Sequence, residues 1–124
     1  MKTIINWIKA NPILTFLSGI AFIGFLYIIF GNKKDKSDLA KCLKDSGAKF
    51  YGASYCGYCK KQKAMFSNPQ DLPYIECTDA KNAKECGDAK ITGYPTWVFP
   101  DGKKISGLLS IEQLKQYSNC TNLN

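Results

Sequence analysis

The residues best suited to chemistry are Cys56 and Cys59, separated by Gly57 and Tyr58 in a chain with six cysteines and no histidine. Two cysteines three positions apart at the start of a helix face the same way, close enough to form a disulfide or to alternate between dithiol and disulfide. A helix start offers unpaired backbone N–H groups and a partial positive charge, which favour a thiolate at Cys56, the more exposed of the two. Lys60, Lys61 and Lys63 add positive field nearby. A thiolate at Cys56 could attack a disulfide in another protein, or accept attack when oxidised, and Cys59 would resolve the mixed disulfide from one turn deeper. This exchange needs no cofactor.

The other cysteines leave several pairings open. Cys77 at the end of a strand pattern and Cys86 on the next short helix suit a second disulfide, as a staple or as a relay for electrons. Alternatively, Cys56, Cys59, Cys77 and Cys86 could hold a zinc ion tetrahedrally. The Cys77 to Cys86 spacing is wider than a usual zinc knuckle, and the first pair follows a strand, the context of a redox motif. Cys42 and Cys120 remain, either bridged to each other or as buried free thiols. Gly93-Tyr94-Pro95-Thr96 precedes a further strand, where an X-Pro bond can be cis and extended backbone can pair with a peptide. On local sequence alone an ordinary turn proline is the simpler reading. Gly57, Tyr58 and Tyr94 are the residues a bound peptide would meet.

Composition narrows the function classes. The net charge of +7 comes from 17 lysines, with no arginine, against 10 acidic residues. Groove and phosphate readers rely on arginine forks, and no basic run is interleaved with base-stacking aromatics, so nucleic acid is excluded as a partner. Without histidine, no Cys-His or Ser-His arrangement exists. Six cysteines in so short a chain are ordinary in an oxidising compartment and unusual in a reducing cytosol.

The elements that must position the motif follow from periodicity. Asp38 to Ser46 reads as a short amphipathic helix carrying Leu39, Ala40, Cys42 and Leu43, stopped by Gly47. Ala48 to Ala53 reads as a strand leading into the cysteine motif, and the helix that follows runs through Lys60, Ala64, Met65 and Phe66 until Asn68-Pro69. Leu72 to Cys77 reads as a second strand parallel to the first, and Ala80 to Ala89 as a helix. Thr96 to Phe99 and Lys104 to Ser106 flank Pro100-Asp101-Gly102 as a hairpin, and Ser110 caps a last helix with Leu114 and Tyr117 inward. The sum is an α/β domain, a four-stranded mixed sheet with flanking helices in the layout of a minimal thioredoxin fold.

Ahead of this domain, Ile13 to Phe30 carries no charge. Its length nearly spans a hydrocarbon core, which predicts one transmembrane helix over 12–31. Residues 1–11, with Trp7 and Lys9, form an interfacial segment. Residues 32–37 form a charged linker, and the domain occupies 38–124. A cleaved signal peptide fits less well, because the apolar run is long and no small-x-small site precedes the lysines. The lysines after the helix outnumber those before it, which argues for a cytoplasmic domain, whereas the cysteines argue for an extracytoplasmic one. The cysteines outweigh the lysines, which predicts an extracytoplasmic domain.

The soluble part resembles the thioredoxin-like superfamily through Tyr51-Gly52-Ala53-Ser54-Tyr55-Cys56-Gly57-Tyr58-Cys59, Gly93-Tyr94-Pro95-Thr96-Trp97 and Gly107. With Ala48-Lys49-Phe50 and Leu72-Pro73-Tyr74-Ile75-Glu76-Cys77, it is most similar to the thioredoxin domain fused to bacterial vitamin K epoxide reductase homologues. That resemblance implies a carrier of disulfides between protein substrates and a quinone-linked membrane reductase. It makes Cys56 the attacking residue, Cys59 the resolving one and Pro95 the cis-proline, and it supports a Cys77–Cys86 pair. This chain departs from the fusion in having one predicted membrane helix instead of a reductase bundle, so a quinone-linked partner would act in trans. The Gly-Tyr dipeptide is also found in bacterial disulfide isomerases. Phe50 stands where thioredoxins proper place a buried carboxylate, which weakens a plain reductant reading. The competing expectation is a zinc-stabilised or disulfide-stapled interaction module without turnover.

Overall fold

A computed structural model describes residues 12–67 and 69–123, without the side chains of 12–15 and 30–34. The expected interfacial segment 1–11 and the helix-ending Asn68 lie outside the described residues. The chain divides into two compact units between Asn32 and Lys33.

The first helix, α1, runs from Pro12 to Asp45. The expected linker 32–37 and the separate helix from Asp38 are therefore helical turns of one element. After Pro12 no proline occurs before Pro69, and Gly31 alone is a weak breaker that an otherwise helix-favouring run of lysines, alanine and leucine overrides. Gly47 stops it as expected. Gly47 sits at φ 86°, its amide reaches the Lys44 carbonyl at 3.2 Å, and the Ala48 amide reaches the Leu43 carbonyl at 3.1 Å. This left-handed closure favours glycine. In the first unit, the described side chains from Phe16 to Ile29 are all exposed. Among the described residues, no helix is long and apolar enough to cross a membrane.

In the second unit, strand β1 (Lys49–Gly52) leads into α2 (Gly57–Ala64). A 3-10 turn, Pro69–Asp71, then leads to β2 (Tyr74–Glu76). The helix expected over 80–89 is a 3-10 turn, Ala80–Asn82, followed by α3 (Ala83–Asp88). Strands β3 (Thr96–Val98) and β4 (Lys104–Ser106) precede α4 (Ile111–Ser118). The sheet order is β2-β1-β3-β4. β1 is parallel to β2 and antiparallel to β3, and β3 is antiparallel to β4. The Asp101-Gly102 turn closes that hairpin, with Gly102 at φ 81°. Ser110 caps α4 through a reciprocal pair of bonds with Gln113, a capping box that satisfies two otherwise orphan amides.

The core is built on aromatic side chains that share one face of the sheet. Phe50 stacks on Trp97 at 4.6 Å between ring centroids and meets Tyr74 edge-on at 5.0 Å. Leu39 and Leu43 from α1, Leu114 from α4 and Phe66 beyond α2 close over them, all buried. A four-stranded mixed sheet with flanking helices in this order fits a minimal thioredoxin fold.

Candidate functional site

Cys56 is the N-cap of α2, in extended backbone at φ −77° and ψ 111°. Its sulfur accepts a hydrogen bond from the Cys59 amide at 3.1 Å, one of the four amides that a helix start leaves without an internal partner. The two cysteines are bonded as a disulfide with Cα atoms 5.3 Å apart. Cys56 is 9% exposed and Cys59 1%. One sulfur is thus at the surface edge and the other beneath it, which is the arrangement that attack followed by resolution needs.

Beneath the motif, α2 is pinned by a residue that sequence reasoning passed over. Gln62 is fully buried. Its side-chain amide donates to the Leu109 carbonyl at 3.0 Å, and its oxygen accepts from the Leu109 amide at 2.9 Å. The Trp97 indole N–H also donates to that oxygen, at 3.4 Å. In sequence, Gln62 sits among Lys60, Lys61 and Lys63 and looks like part of a solvated face. Only its partner, far along the chain, reveals the buried role.

The Tyr94–Pro95 peptide bond is cis and Pro95 is buried. The Pro95 carbonyl accepts from the Gly107 amide at 2.8 Å, and the Thr96 hydroxyl donates to the Gly93 carbonyl at 2.8 Å. Among the described residues, neither the amide nor the carbonyl of Tyr94 takes part in a backbone hydrogen bond with another residue. Tyr94 meets Tyr55 edge-on at 6.5 Å, which joins the proline segment to the residue preceding Cys56. Tyr55 and Tyr58 are 73% and 60% exposed, and the Lys61 ammonium lies 5.2 Å above the Tyr58 ring. Gly57 is exposed at the start of α2. The motif is therefore rimmed by three tyrosines and bare backbone.

On its inner side the motif meets the end of β1. A Cβ on Gly52 would lie 2.6 Å from Tyr74 Cε2, 2.9 Å from the Tyr74 hydroxyl and 3.0 Å from Cys59 Sγ. Only a glycine allows this close approach. The Tyr74 hydroxyl donates to Glu76 Oε2 at 2.8 Å. Glu76 Oε1 accepts from both the amide and the hydroxyl of Thr78. The Lys63 ammonium sits 3.3 Å over the Tyr74 ring. Burial, reinforced by Glu76, pushes the Tyr74 phenol well above its ordinary value. Burial pulls the Lys63 ammonium down, with Glu76 opposing it. Burial raises the Glu76 carboxyl, but hydrogen bonds from Thr78 and Tyr74 outweigh it and hold the group below the usual range. The signal available in sequence was a glycine at the end of an otherwise bulky strand.

The remaining sulfurs are also paired. Cys77 and Cys86 form a disulfide with Cα atoms 5.9 Å apart, and the Cys77 amide donates to the Gly52 carbonyl at 2.8 Å. Cys42 and Cys120, whose pairing the sequence leaves open, are bonded with Cα atoms 6.1 Å apart. Among the described residues, no cluster of three or more histidine, cysteine or acidic side chains could hold a metal ion.

No protein-family model matches the chain. The chain is similar to the thiol-disulfide oxidoreductase LTO1 of Arabidopsis thaliana, 41% identical over 86 residues covering 63% of this chain and 23% of the relative. It is also similar to protein disulfide-isomerase 1 of Dictyostelium discoideum, 32% identical over 85 residues covering 57% of this chain and 23% of the relative. The chain thus spans less than a quarter of the length of either relative. With the fold, these likenesses support a place for the chain in the thioredoxin-like superfamily.

Proposed function

We propose that this chain is a membrane-anchored thiol–disulfide oxidoreductase that exchanges disulfides with protein substrates through Cys56 and Cys59. The observation that carries the reading is the cysteine pair itself, with Cys56 capping α2 at the surface edge and Cys59 buried one turn in. Cys56 is the attacking residue and Cys59 the resolving one. The bare backbone of Tyr94 ahead of Pro95 receives an extended substrate strand, and Tyr58 and Gly57 border it. Relatives named as a thiol-disulfide oxidoreductase and a protein disulfide-isomerase support this chemistry.

The anchor is the apolar helix from Pro12, whose exposed large side chains between Phe16 and Ile29 are hydrophobic groups that favour burial in lipid. The domain faces an extracytoplasmic space, a placement supported by three disulfides among six cysteines. The resemblance to the domain fused to vitamin K epoxide reductase homologues supports a quinone-linked membrane reductase as the partner in trans. The tether would raise the effective concentration of the two for each other.

The alternative is a zinc-stabilised or disulfide-stapled interaction module without turnover. It would require Cys56 and Cys59 to be inert, or to share a metal with Cys77 and Cys86, yet those four sulfurs are bonded in two separate pairs. An insulin-reduction assay on the full chain, together with its zinc content, separates the two readings. Turnover that disappears in Cys56→Ser supports the oxidoreductase. A stoichiometric zinc ion with no turnover contradicts it.

A further inference from the structure

Resolution by Cys59 requires its thiol to lose a proton while almost shielded from water. The chain has no histidine. Among the described residues the buried polar side chains are Gln62, Thr96 and Ser118, none of them a base at neutral pH. Phe50, fully buried, supplies no carboxylate. The polar group that does reach the same point as the Cys59 sulfur is the Tyr74 hydroxyl, since both lie within 3.0 Å of the place where a Cβ on Gly52 would stand. The Tyr74 hydroxyl already donates to Glu76 Oε2, so its oxygen lone pairs remain available toward Cys59. Glu76 is half-buried and reaches solvent.

We infer that Tyr74 and Glu76 form the proton relay that serves Cys59 in thiol–disulfide exchange, an inference that rests on the dithiol reading above. With a substrate sulfur bonded to Cys56, the Cys59 S–H gives its proton to the Tyr74 oxygen, directly or across one water. The Tyr74 hydroxyl passes its own proton to Glu76, which releases it to solvent. The Cys59 thiolate attacks the Cys56 sulfur. The Cys56–Cys59 bond forms, the bond from Cys56 to the substrate sulfur breaks, and the electron pair leaves on the substrate thiolate, which takes a proton from water. Two electrons have moved from the dithiol to the substrate. When the protein donates its disulfide, the same steps run backwards and the proton returns to Cys59 through Tyr74. The charged and titratable groups facing Tyr74 suit this role: Glu76 on its own strand, Lys63 over its ring from α2, Tyr94 ahead of β3 and Cys59 itself. Lys63 holds the ring in place and offsets the charge of Glu76.

The test uses the full chain, reduced so that only the Cys56–Cys59 bond opens, and mixed rapidly with the aromatic disulfide dithiobis-nitrobenzoate. Attack by Cys56 releases one coloured thiolate and resolution by Cys59 releases a second, so each step is read separately. In Tyr74→Phe, which keeps the ring against Phe50, the first release should keep its rate. The second should slow by about 100-fold near neutral pH, with its pH–rate profile moved to higher pH. Glu76→Gln, outside the core, should shift the second release in the same direction. A second release that is unchanged in both variants, or both releases slowed equally in each, overturns the relay. Absence of any two-step release from the unmutated chain would instead overturn the dithiol reading, and the relay with it.

Discussion

Gln62 and Leu109 exchange two hydrogen bonds across 47 positions of sequence, 3.0 Å in one direction and 2.9 Å in the other. This pairing ties the helix that carries Cys59 to the loop leading into α4, and Trp97 adds a third bond to the same side chain. Gln62→Leu would fill the space and leave the Leu109 amide and carbonyl unpaired in the core. The expected loss is about 3 kcal/mol of stability, since each buried backbone group left without a partner costs roughly 1–3 kcal/mol. Denaturant unfolding should show a lower midpoint with an unchanged slope.

Cys42 and Cys120 close a loop of 78 residues between α1 and the tail beyond α4. A cross-link over so long a span restricts the unfolded chain strongly, and the chain-entropy account gives about 4 kcal/mol. The double variant Cys42→Ser, Cys120→Ser should therefore unfold at markedly lower denaturant while keeping the Cys56–Cys59 pair competent, as read by alkylation. Equal stability with and without this bond would show that it is not a staple.

The cluster beside Cys59 contributes pH dependence to stability at both ends of the range. The Glu76 carboxyl is held below its ordinary 4.5 in the folded state. Its contribution is therefore complete above that value and lost as pH falls through the lowered native value. Tyr74 is raised above its ordinary 10.0. Its contribution is complete below that value and lost as pH rises toward the native one. Glu76→Gln should flatten the acid limb of a stability–pH curve, and Tyr74→Phe the alkaline limb, each compared with the unmutated chain by thermal unfolding.

The four strand segments, the parallel first pair and the hairpin were legible because short strand runs and the Asp101-Gly102 turn are local signals, whereas the order of the strands in the sheet came from the structure. The placement of Cys56 at a helix start was legible from the strand before it. The continuity of α1 was not, because lysine and aspartate after Gly31 look like a linker although both are tolerated within a helix. The roles of Gln62, Tyr74 and Glu76 depend on tertiary partners. A glutamine among lysines reads as surface, and the meaning of Gly52 emerges only when the Tyr74 ring and the Cys59 sulfur arrive from different elements. The pairing of Cys42 with Cys120 likewise needs the two chain ends of the domain brought together.

The central claim, that Cys56 and Cys59 are a working dithiol, is tested most directly by equilibrating the full chain in glutathione buffers of graded potential. Each cysteine is then scored by differential alkylation and mass spectrometry. The expected result is one reversible two-electron transition confined to Cys56 and Cys59, with Cys77–Cys86 and Cys42–Cys120 staying closed through it. A pair that does not titrate, or that opens only together with the other two disulfides as the protein unfolds, would contradict the account.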